Sequence, residues 1–351
     1  MKTNKKPIYL LIFFFAFFGL FIALLMRPST QNKAIKELET CFSKKDIETV
    51  WYKYKADLNQ DEDFLKVIRT KLSGLQLDEK QIAACNEWLP PASTSINVIV
   101  IPDLSRRITD DVNNPHQIEN DIFVLNAVWK SFESFSKLKQ DSKDRLIVDV
   151  TDIDQAKGQF GIVANNLQFD LSTHKGKSNR LFFTPDKDTL FSNSIKEMYD
   201  SAKDKPLGAD YRFYFRRYLA KHLKKSTFFD TYVNKVVIIS DGYLEAENKP
   251  ADTKIYGFQK QLYQSVTNGN ILDVITTNGL VIPAVDIDLS NTEIMVCEMN
   301  ERKTGKGFDF EILKTYWEDW LGRMAAKKIV IAQREQATSL TAKQVQEFIE
   351  K

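Results

Sequence analysis

The sequence predicts an α/β protein with a doubly wound, mostly parallel sheet, preceded by a transmembrane helix and a small helical region. Short apolar runs at 96–101, 236–239 and 328–332 are typical of strands buried on both faces, as in parallel sheets. Segments with apolar residues at helical spacing separate these runs, and this alternation favours a doubly wound sheet. The length of 351 residues allows one large domain and a smaller attachment.

The composition excludes some classes of protein. The chain has 49 basic and 47 acidic residues, so no excess of positive charge indicates a nucleic-acid partner. Its three cysteines are too few for a disulfide scaffold, and their spacing is not that of a zinc site. We therefore expect no nucleic acid among the partners of this protein.

The N-terminus has the pattern of a membrane anchor. A tail at 1–7 carries Lys2, Lys5 and Lys6, and an unbroken apolar run follows at 8–26. A helix of this length rises about 28 Å, which is enough to cross a hydrocarbon core of about 30 Å. A secretory signal peptide is the alternative, but its apolar core is usually shorter and ends in small residues, which are missing here. The basic tail predicts a single-pass protein with a cytoplasmic N-terminus and a periplasmic or extracellular main domain.

Residues 27–89 have helical periodicity and predict a stalk or small bundle. Asp46 and Asp61 or Asp78 suit helix starts, and Gly74 suits a helix end. Cys41 and Cys85 fall in the first and last of these helices. In an oxidising location they could form a disulfide, and two buried thiols in a helical core are the other interpretation.

A linker at 90–95 precedes the predicted α/β domain at 96–335. Further strands are predicted at 145–150 and 294–298, and an antiparallel edge strand is expected somewhere in 159–183. A helix over 336–351 ends the chain. Thr341 with Gln344 has the spacing of a capping box, which predicts that this helix starts near Thr341.

Polar side chains follow the buried strands and precede one helix. Asp103 and Ser105 come after the first strand, and Asp241 follows the strand at 236–239. Asp210 opens the helix between them. In an open α/β sheet ligands bind at the carboxyl ends of the strands, so we expect these four residues to share one edge of the sheet.

The order of these motifs resembles the von Willebrand factor A (VWA) family, which has a Rossmann-type fold. The resemblance covers roughly residues 95–335. Asp103-Leu104-Ser105 is similar to the start of the D-x-S-x-S motif of that family, and Ser240-Asp241-Gly242 is similar to its Asp-Gly loop. Two positions depart from the pattern, since Arg107 replaces the second serine and Asp210 replaces a threonine.

The resemblance implies a metal-ion-dependent adhesion site (a MIDAS-like site) formed by Asp103, Ser105, Asp210 and Asp241. Mg²⁺ is the expected ion, although another divalent cation would also suit oxygen ligands. Three converging carboxylates would repel one another, and a cation relieves that repulsion. Two alternatives stay open at this point. Arg107 could pair with Asp210 or Asp241 in place of the ion, or Asp103 and Asp241 could simply cap turns.

The sequence offers no catalytic constellation of a known kind. His116, His174 and His222 are scattered, and no G-x-S-x-G, P-loop or G-x-G-x-x-G motif occurs. We therefore expect a membrane-anchored protein–protein interaction module in an envelope-associated assembly, and not an enzyme. The alternatives are a Mg²⁺-dependent, phosphatase-like hydrolase that uses the same carboxylates, and a structural subunit with an inactive metal site.

Overall fold

The computed structural model of the protein describes residues 29–90, 94–139, 142–174, 176–207, 209–227, 230–244, 264–267, 269–301 and 307–351. The chain divides into two compact units, with the boundary between Pro91 and Ala92.

The described part of the first unit is helical. Its helices are α1 (Thr30–Glu39), α2 (Lys44–Leu58), α3 (Glu62–Ser73) and α4 (Glu79–Asn86). Ser43 and Asp46 form a capping box at the start of α2, while Asp61 and Asp78 cap α3 and α4. These caps satisfy backbone N–H groups that the first helical turn leaves without partners. The predicted helix starts at Asp61 and Asp78 are confirmed. Asp46 is the third residue of α2, which begins at Lys44.

The core of the first unit is aromatic and contains two thiols. Trp51 stacks on Phe64 with ring centroids 6.1 Å apart, and the ring centroid of Trp88 lies 6.2 Å from that of Trp51. Cys41 and Cys85 are both buried and are free thiols. Burial raises the pKa of each thiol, which keeps it protonated. The interpretation as buried thiols therefore holds, and the disulfide does not form in this structure.

The predicted fold class is wrong in one part, the transmembrane helix. Within the part of the chain that the structure describes, no helix is both long and apolar enough to cross a membrane. The described helices of the first unit are short and amphipathic; α1, for example, has only 10 residues and contains lysine and glutamate. The segment at 8–26 lies outside the described residues. The fold class is therefore corrected to an α/β unit with a small helical unit before it, and the predicted location of the main domain stays a prediction.

The described residues of the second unit contain a six-stranded sheet in the order β3-β2-β1-β4-β5-β6. The strands are β1 (Thr94–Pro102), β2 (Arg145–Val148), β3 (Gln168–Asp170), β4 (Thr231–Ile239), β5 (Thr292–Met299) and β6 (Lys328–Gln333). All neighbouring strands run parallel except β3, which is antiparallel to β2 at the edge. The predicted mostly parallel sheet and its antiparallel edge strand are confirmed.

Helices cover both faces of the sheet. The longer ones are α5 (Gln117–Leu138), α8 (Gly176–Asp204), α12 (Asp309–Arg323) and α13 (Thr338–Glu350). The shorter ones are α6 (Ile153–Lys157), α7 (Gln159–Val163), α9 (Tyr211–Tyr214), α10 (Ala220–His222) and α11 (Ile271–Thr277). Three segments form 3-10 turns, Arg106–Thr109, Ala164–Leu167 and Leu171–Thr173, and Phe215–Leu219 forms a π-helical turn.

The strand β1 is buried on both sides, which explains its continuous apolar run. Val98 and Val100 pack into the core under α5, α8 and α13. Ile99 and Ile101 pack into the opposite core under α9 and α12. Because side chains alternate between the faces of a strand, only a sheet covered on both sides requires apolar residues at every position.

The predicted capping box of the last helix is wrong. The helix α13 begins at Thr338, so Thr341 lies inside it with a buried hydroxyl. Thr338 Oγ1 donates to Asn120 Oδ1 on α5 at 2.6 Å, and α13 packs along α5. This packing extends the helix by nearly one turn before the local capping signal, because tertiary contacts outweigh local propensity.

The strand order sets the position of the candidate site. The chain passes from β1 to β2 on one side, while β4 pairs with the other side of β1, so the order reverses between β1 and β4. Pro102 at the end of β1 lies opposite Ile239 at the end of β4. In open α/β sheets ligands bind in the crevice that forms at such a switch point.

Candidate functional site

Asp103 leaves the end of β1 and its carboxylate is used within the fold. Its backbone N–H donates to Ile239 O at 2.9 Å, which continues the pairing of β1 with β4. Its Oδ1 accepts from the Ser105 N–H at 2.9 Å, and its Oδ2 accepts from Ser240 Oγ at 2.9 Å. The residue is fully buried. Asp103 therefore holds the ends of two adjacent strands and their following turns together.

The guanidinium group of Arg107 spans the crevice between β1 and β4. Its Nε donates to Asp103 O at 3.0 Å, and its Nη2 donates to Ile239 O at 2.9 Å. It also forms a two-pronged ion pair with Asp121 of α5, at 2.5 Å from Nη2 to Oδ2 and 3.4 Å from Nη1 to Oδ1. Arg107 Nε lies 3.5 Å from Asp103 Oδ2. A fixed positive charge thus lies at the switch point.

Further donors complete the surroundings of Asp121. Gln117 Nε2, one turn earlier on α5, donates to Oδ1 at 2.7 Å, and Tyr199 OH on α8 donates to Oδ2 at 2.9 Å. Gln117 and Asp121 lie on the same side of α5 because they are four residues apart. The ion pair is therefore embedded in a buried network whose members come from three helical segments and two strand ends.

Burial and the partner charges act in opposite directions in this network: burial raises the pKa of Asp121, and the charge of Arg107 opposes that rise. Burial opposes the charge of Arg107, but Asp121 and then Asp103 outweigh it and raise the pKa of the guanidinium above its ordinary value. Burial, together with the nearby Asp121 carboxylate, raises the pKa of Tyr199 well above its ordinary value. Tyr199 consequently stays neutral and donates its proton to the carboxylate. An Arg–carboxylate pair of this geometry is among the stronger polar contacts in proteins.

Ser105 and Asp241 also lie at this edge. Ser105 Oγ accepts from the Arg107 N–H at 3.5 Å and caps the 3-10 turn, and Asp241 Oδ1 accepts from the Tyr243 N–H at 3.2 Å. Gly242 follows with φ of 94°, and a Cβ there would lie 2.6 Å from Met299 Cε. The positive φ favours glycine at the turn after β4, because residues with a Cβ rarely adopt it.

Asp210 has a different role from the other three predicted residues. Its side chain accepts from the Phe213 N–H at 3.0 Å and caps α9. Among the contacts of the described residues, Asp210 makes none with Asp103 or Asp241. Gly208, two residues before Asp210, lies outside the described residues.

The predicted donor set, as it is arranged in this structure, does not suit a divalent cation. Both Asp103 carboxylate oxygens accept hydrogen bonds, and the Arg107 guanidinium lies 3.5 Å from one of them. An added cation here would face the positive charge of Arg107. Within the described ranges, no group of three or more His, Cys, Asp or Glu side chains is arranged to hold a metal.

The two alternatives from the sequence are each right in part. Asp103 and Asp241 cap turns, since each accepts from the backbone two residues later. Arg107 pairs with carboxylates, but its partners are Asp121 and Asp103 instead of the predicted Asp210 or Asp241. The sequence reasoning missed Asp121. It interrupts the apolar stripe of α5 that continues through Val124, and a carboxylate in such a stripe indicates a buried partner.

The surroundings of the crevice remain open to a ligand. A cleft of about 240 Å³ borders Leu104, the residue between Asp103 and Ser105. Val112, in the loop after β1, is 89% exposed, and Ile162, in the connection after β2, is 71% exposed. The only large apolar side chain of the described residues with comparable exposure is Phe42, in the other unit.

The architecture of the second unit is that of an open α/β sheet with a switch point between β1 and β4. The sheet of mostly parallel strands with helices on both faces is consistent with a Rossmann-type or VWA-like fold. The chain has no significant match to a protein-family model, to a curated protein or to a solved structure.

Proposed function

We propose that this chain is a protein-binding module of VWA type that binds its partner without a divalent cation. The observation that supports this proposal is the position of the Arg107 guanidinium across the β1–β4 crevice. It supplies positive charge to Asp103 and Asp121 where a metal would otherwise do so. The module therefore needs no ion to hold this edge of the sheet in one conformation.

The same geometry favours binding over hydrolysis. A metal-dependent hydrolase needs an open coordination position for a water or a substrate oxygen. Asp103 and Asp241 are almost completely buried, and their carboxylates accept from neighbouring donors. Neither carboxylate can reach a substrate without breaking these contacts. The phosphatase-like alternative is therefore less well supported, because neither Asp103 nor Asp241 is accessible as a nucleophile.

The partner is expected at the carboxyl edge of the sheet. The two most exposed large apolar side chains of the described second unit, Val112 and Ile162, both lie in connections that follow strands there. An apolar side chain in water gains free energy when a partner covers it. A cleft and exposed apolar groups around a rigid network are the features of a binding surface that is largely preformed.

The test is capture of the native partner by the full-length protein. Capture is expected to be equal in millimolar Mg²⁺ and in chelator, and to fall about tenfold with Val112→Asp or Ile162→Asp. The matched control is Leu272→Asp, which places the same charge on an exposed leucine of α11.

Three outcomes would contradict the proposal. Capture that disappears in chelator would show that a metal is required. Capture that survives both edge substitutions would place the interface elsewhere. Phosphate-ester hydrolysis that is lost with Asp103→Asn would instead favour the hydrolase.

A further inference from the structure

The cleft beside Leu104 has apolar walls. It lies between the end of β1, the helices α6 and α7, and the C-terminal part of α8. Its apolar lining consists of Leu104, Phe160, Met198, Ala202 and Leu207. Four of these side chains are nearly inaccessible to water although they border an open space. Such a lining suits an apolar group of a ligand.

The cleft is held open by hydrogen bonds to one carbonyl group. Leu104 O accepts from Gln155 Nε2 on α6 and from the Leu207 N–H after α8, both at 3.3 Å. These bonds join the two walls to the end of β1. The cleft is therefore preformed, and a ligand would not have to order its walls on binding.

Two charges of opposite sign lie at the rim. Asp154 and Lys205 both line the cleft and are both exposed. Neither side chain makes an ion pair with another described residue. The matching ligand has an apolar group with a positive charge toward Asp154 and a negative charge toward Lys205. This charge pattern narrows the class of ligand.

The size of the cleft further limits the class of ligand that it can bind. Pockets for drug-sized molecules have volumes of about 300 to 1,000 Å³. At about 240 Å³ this cleft is smaller, so it suits a single side chain. An anchor residue of this kind, buried in a preformed pocket with charged contacts at the rim, is a common basis for peptide recognition.

We infer that the cleft binds one large apolar side chain of the partner, in a segment where that residue lies between a basic and an acidic residue. This inference rests on the proposed function, because it names the chemistry of the partner at the same edge. The basic neighbour pairs with Asp154 and the acidic neighbour pairs with Lys205. The exposed Val112 and Ile162 lie outside the cleft and contact the rest of the partner.

The test uses a display library of random peptides selected on the full-length protein. Selected peptides are expected to share a leucine, methionine or phenylalanine between a basic and an acidic residue. Their affinity, measured by fluorescence polarisation, is expected to fall about tenfold with Ala202→Trp, which fills the cleft, and with Lys205→Glu. Because Lys205 is exposed, Lys205→Glu does not endanger folding.

A charge exchange provides the sharpest control. The double variant Asp154→Lys with Lys205→Glu is expected to reject the selected peptides and to bind the same peptides with their two charges interchanged. Lys225→Glu, an exposed lysine after α10, is the matched control and is expected to leave the affinity unchanged.

The inference is overturned if the library yields no binder, if the selected peptides lack the charged neighbours, or if they bind Ala202→Trp as tightly as the natural protein. Capture of the native partner separates this inference from the proposed function. Capture that survives Ala202→Trp but is lost with Val112→Asp would show that the partner binds at the sheet edge without using the cleft.

Discussion

Two arginine–carboxylate pairs with a buried carboxylate lie near the carboxyl ends of the strands, and the two carboxylates differ in their hydrogen bonding. Arg107 and Asp121 approach to 2.5 Å, and Gln117 and Tyr199 also donate to the same carboxylate. Arg334 Nε lies 3.7 Å from Glu298 Oε2, which is too far for a hydrogen bond. Both oxygens of Glu298 are buried without a hydrogen-bond partner among the described residues. The carboxylate of the first pair is fully hydrogen-bonded, and that of the second has a charge partner without a hydrogen bond to it.

The backbone explains why Glu298 is not satisfied. It has φ of 63°, a conformation that residues other than glycine rarely adopt, at an irregularity in the pairing of β5 with β6. Arg334 meanwhile donates to Gln117 Oε1 at 3.0 Å and to Pro115 O at 2.6 Å. The guanidinium thus supports the Asp121 network through Gln117, and its contact with Glu298 is a distant one.

A buried carboxylate therefore costs less stability when its hydrogen-bond donors are fixed in place, and more when those donors bond to other groups. Burial raises the pKa of Glu298, and the nearby Asp121 raises it further. The same chemical change, from a carboxylate to its amide, should consequently have opposite effects on stability at the two positions.

The largest expected effect is that of Asp121→Asn. The amide leaves the buried Arg107 without its principal counter-charge, so the free energy of unfolding should fall by about 3 to 5 kcal/mol. Scanning calorimetry of the full-length protein at pH 7 would measure this loss. An unchanged transition would show that the ion pair contributes nothing to the stability of the second unit.

A double-mutant cycle with Arg107→Met isolates the pair itself. The combined variant Arg107→Met with Asp121→Asn should be less destabilised than the sum of the two single variants, because neither charge is then left buried alone. Additive losses would mean that the two side chains act independently.

Glu298→Gln is expected to act in the opposite direction and more weakly. It removes a buried carboxylate that has no hydrogen-bond partner among the described residues, so the protein should gain about 1 kcal/mol at pH 7. The same calorimetric comparison measures the gain. Destabilisation by Glu298→Gln would show that the carboxylate is compensated in solution.

The pH dependence of that gain follows from the direction of the pKa shift. At a pH just above the ordinary glutamate pKa of 4.5, the folded protein keeps the proton on Glu298, whereas the unfolded chain releases it. Stability is therefore greatest below the ordinary pKa and is lost as the pH rises through the folded pKa. Because a glutamine side chain does not titrate, the advantage of Glu298→Gln should vanish below about pH 4. A gain that is equal at about pH 4 and pH 7 would rule out this titration as its cause.

The parallel sheet could be predicted from the sequence because its central strands contain continuous apolar runs. The turn caps at Asp103 and Asp241 were also accessible, since short polar side chains after strands bond to the backbone nearby. The partner of Arg107 could not be predicted from the sequence. Asp121 is 14 residues away on a helix, and the rotation of that helix about its axis depends on packing. The unusual backbone at Glu298 left no local signal, since no glycine marks it.

The effect of Mg²⁺ on thermal unfolding of the full-length protein shows whether Arg107 takes the place of a cation. An ion that binds only the folded state would add about 2.7 kcal/mol at a hundredfold excess over its Kd. If the Arg107 guanidinium already supplies the positive charge at the switch point, the melting temperature should be the same in millimolar Mg²⁺ and in chelator, and Arg107→Ser should acquire a dependence on Mg²⁺. An upward shift of the natural protein in Mg²⁺ that Asp241→Ala abolishes would contradict the account.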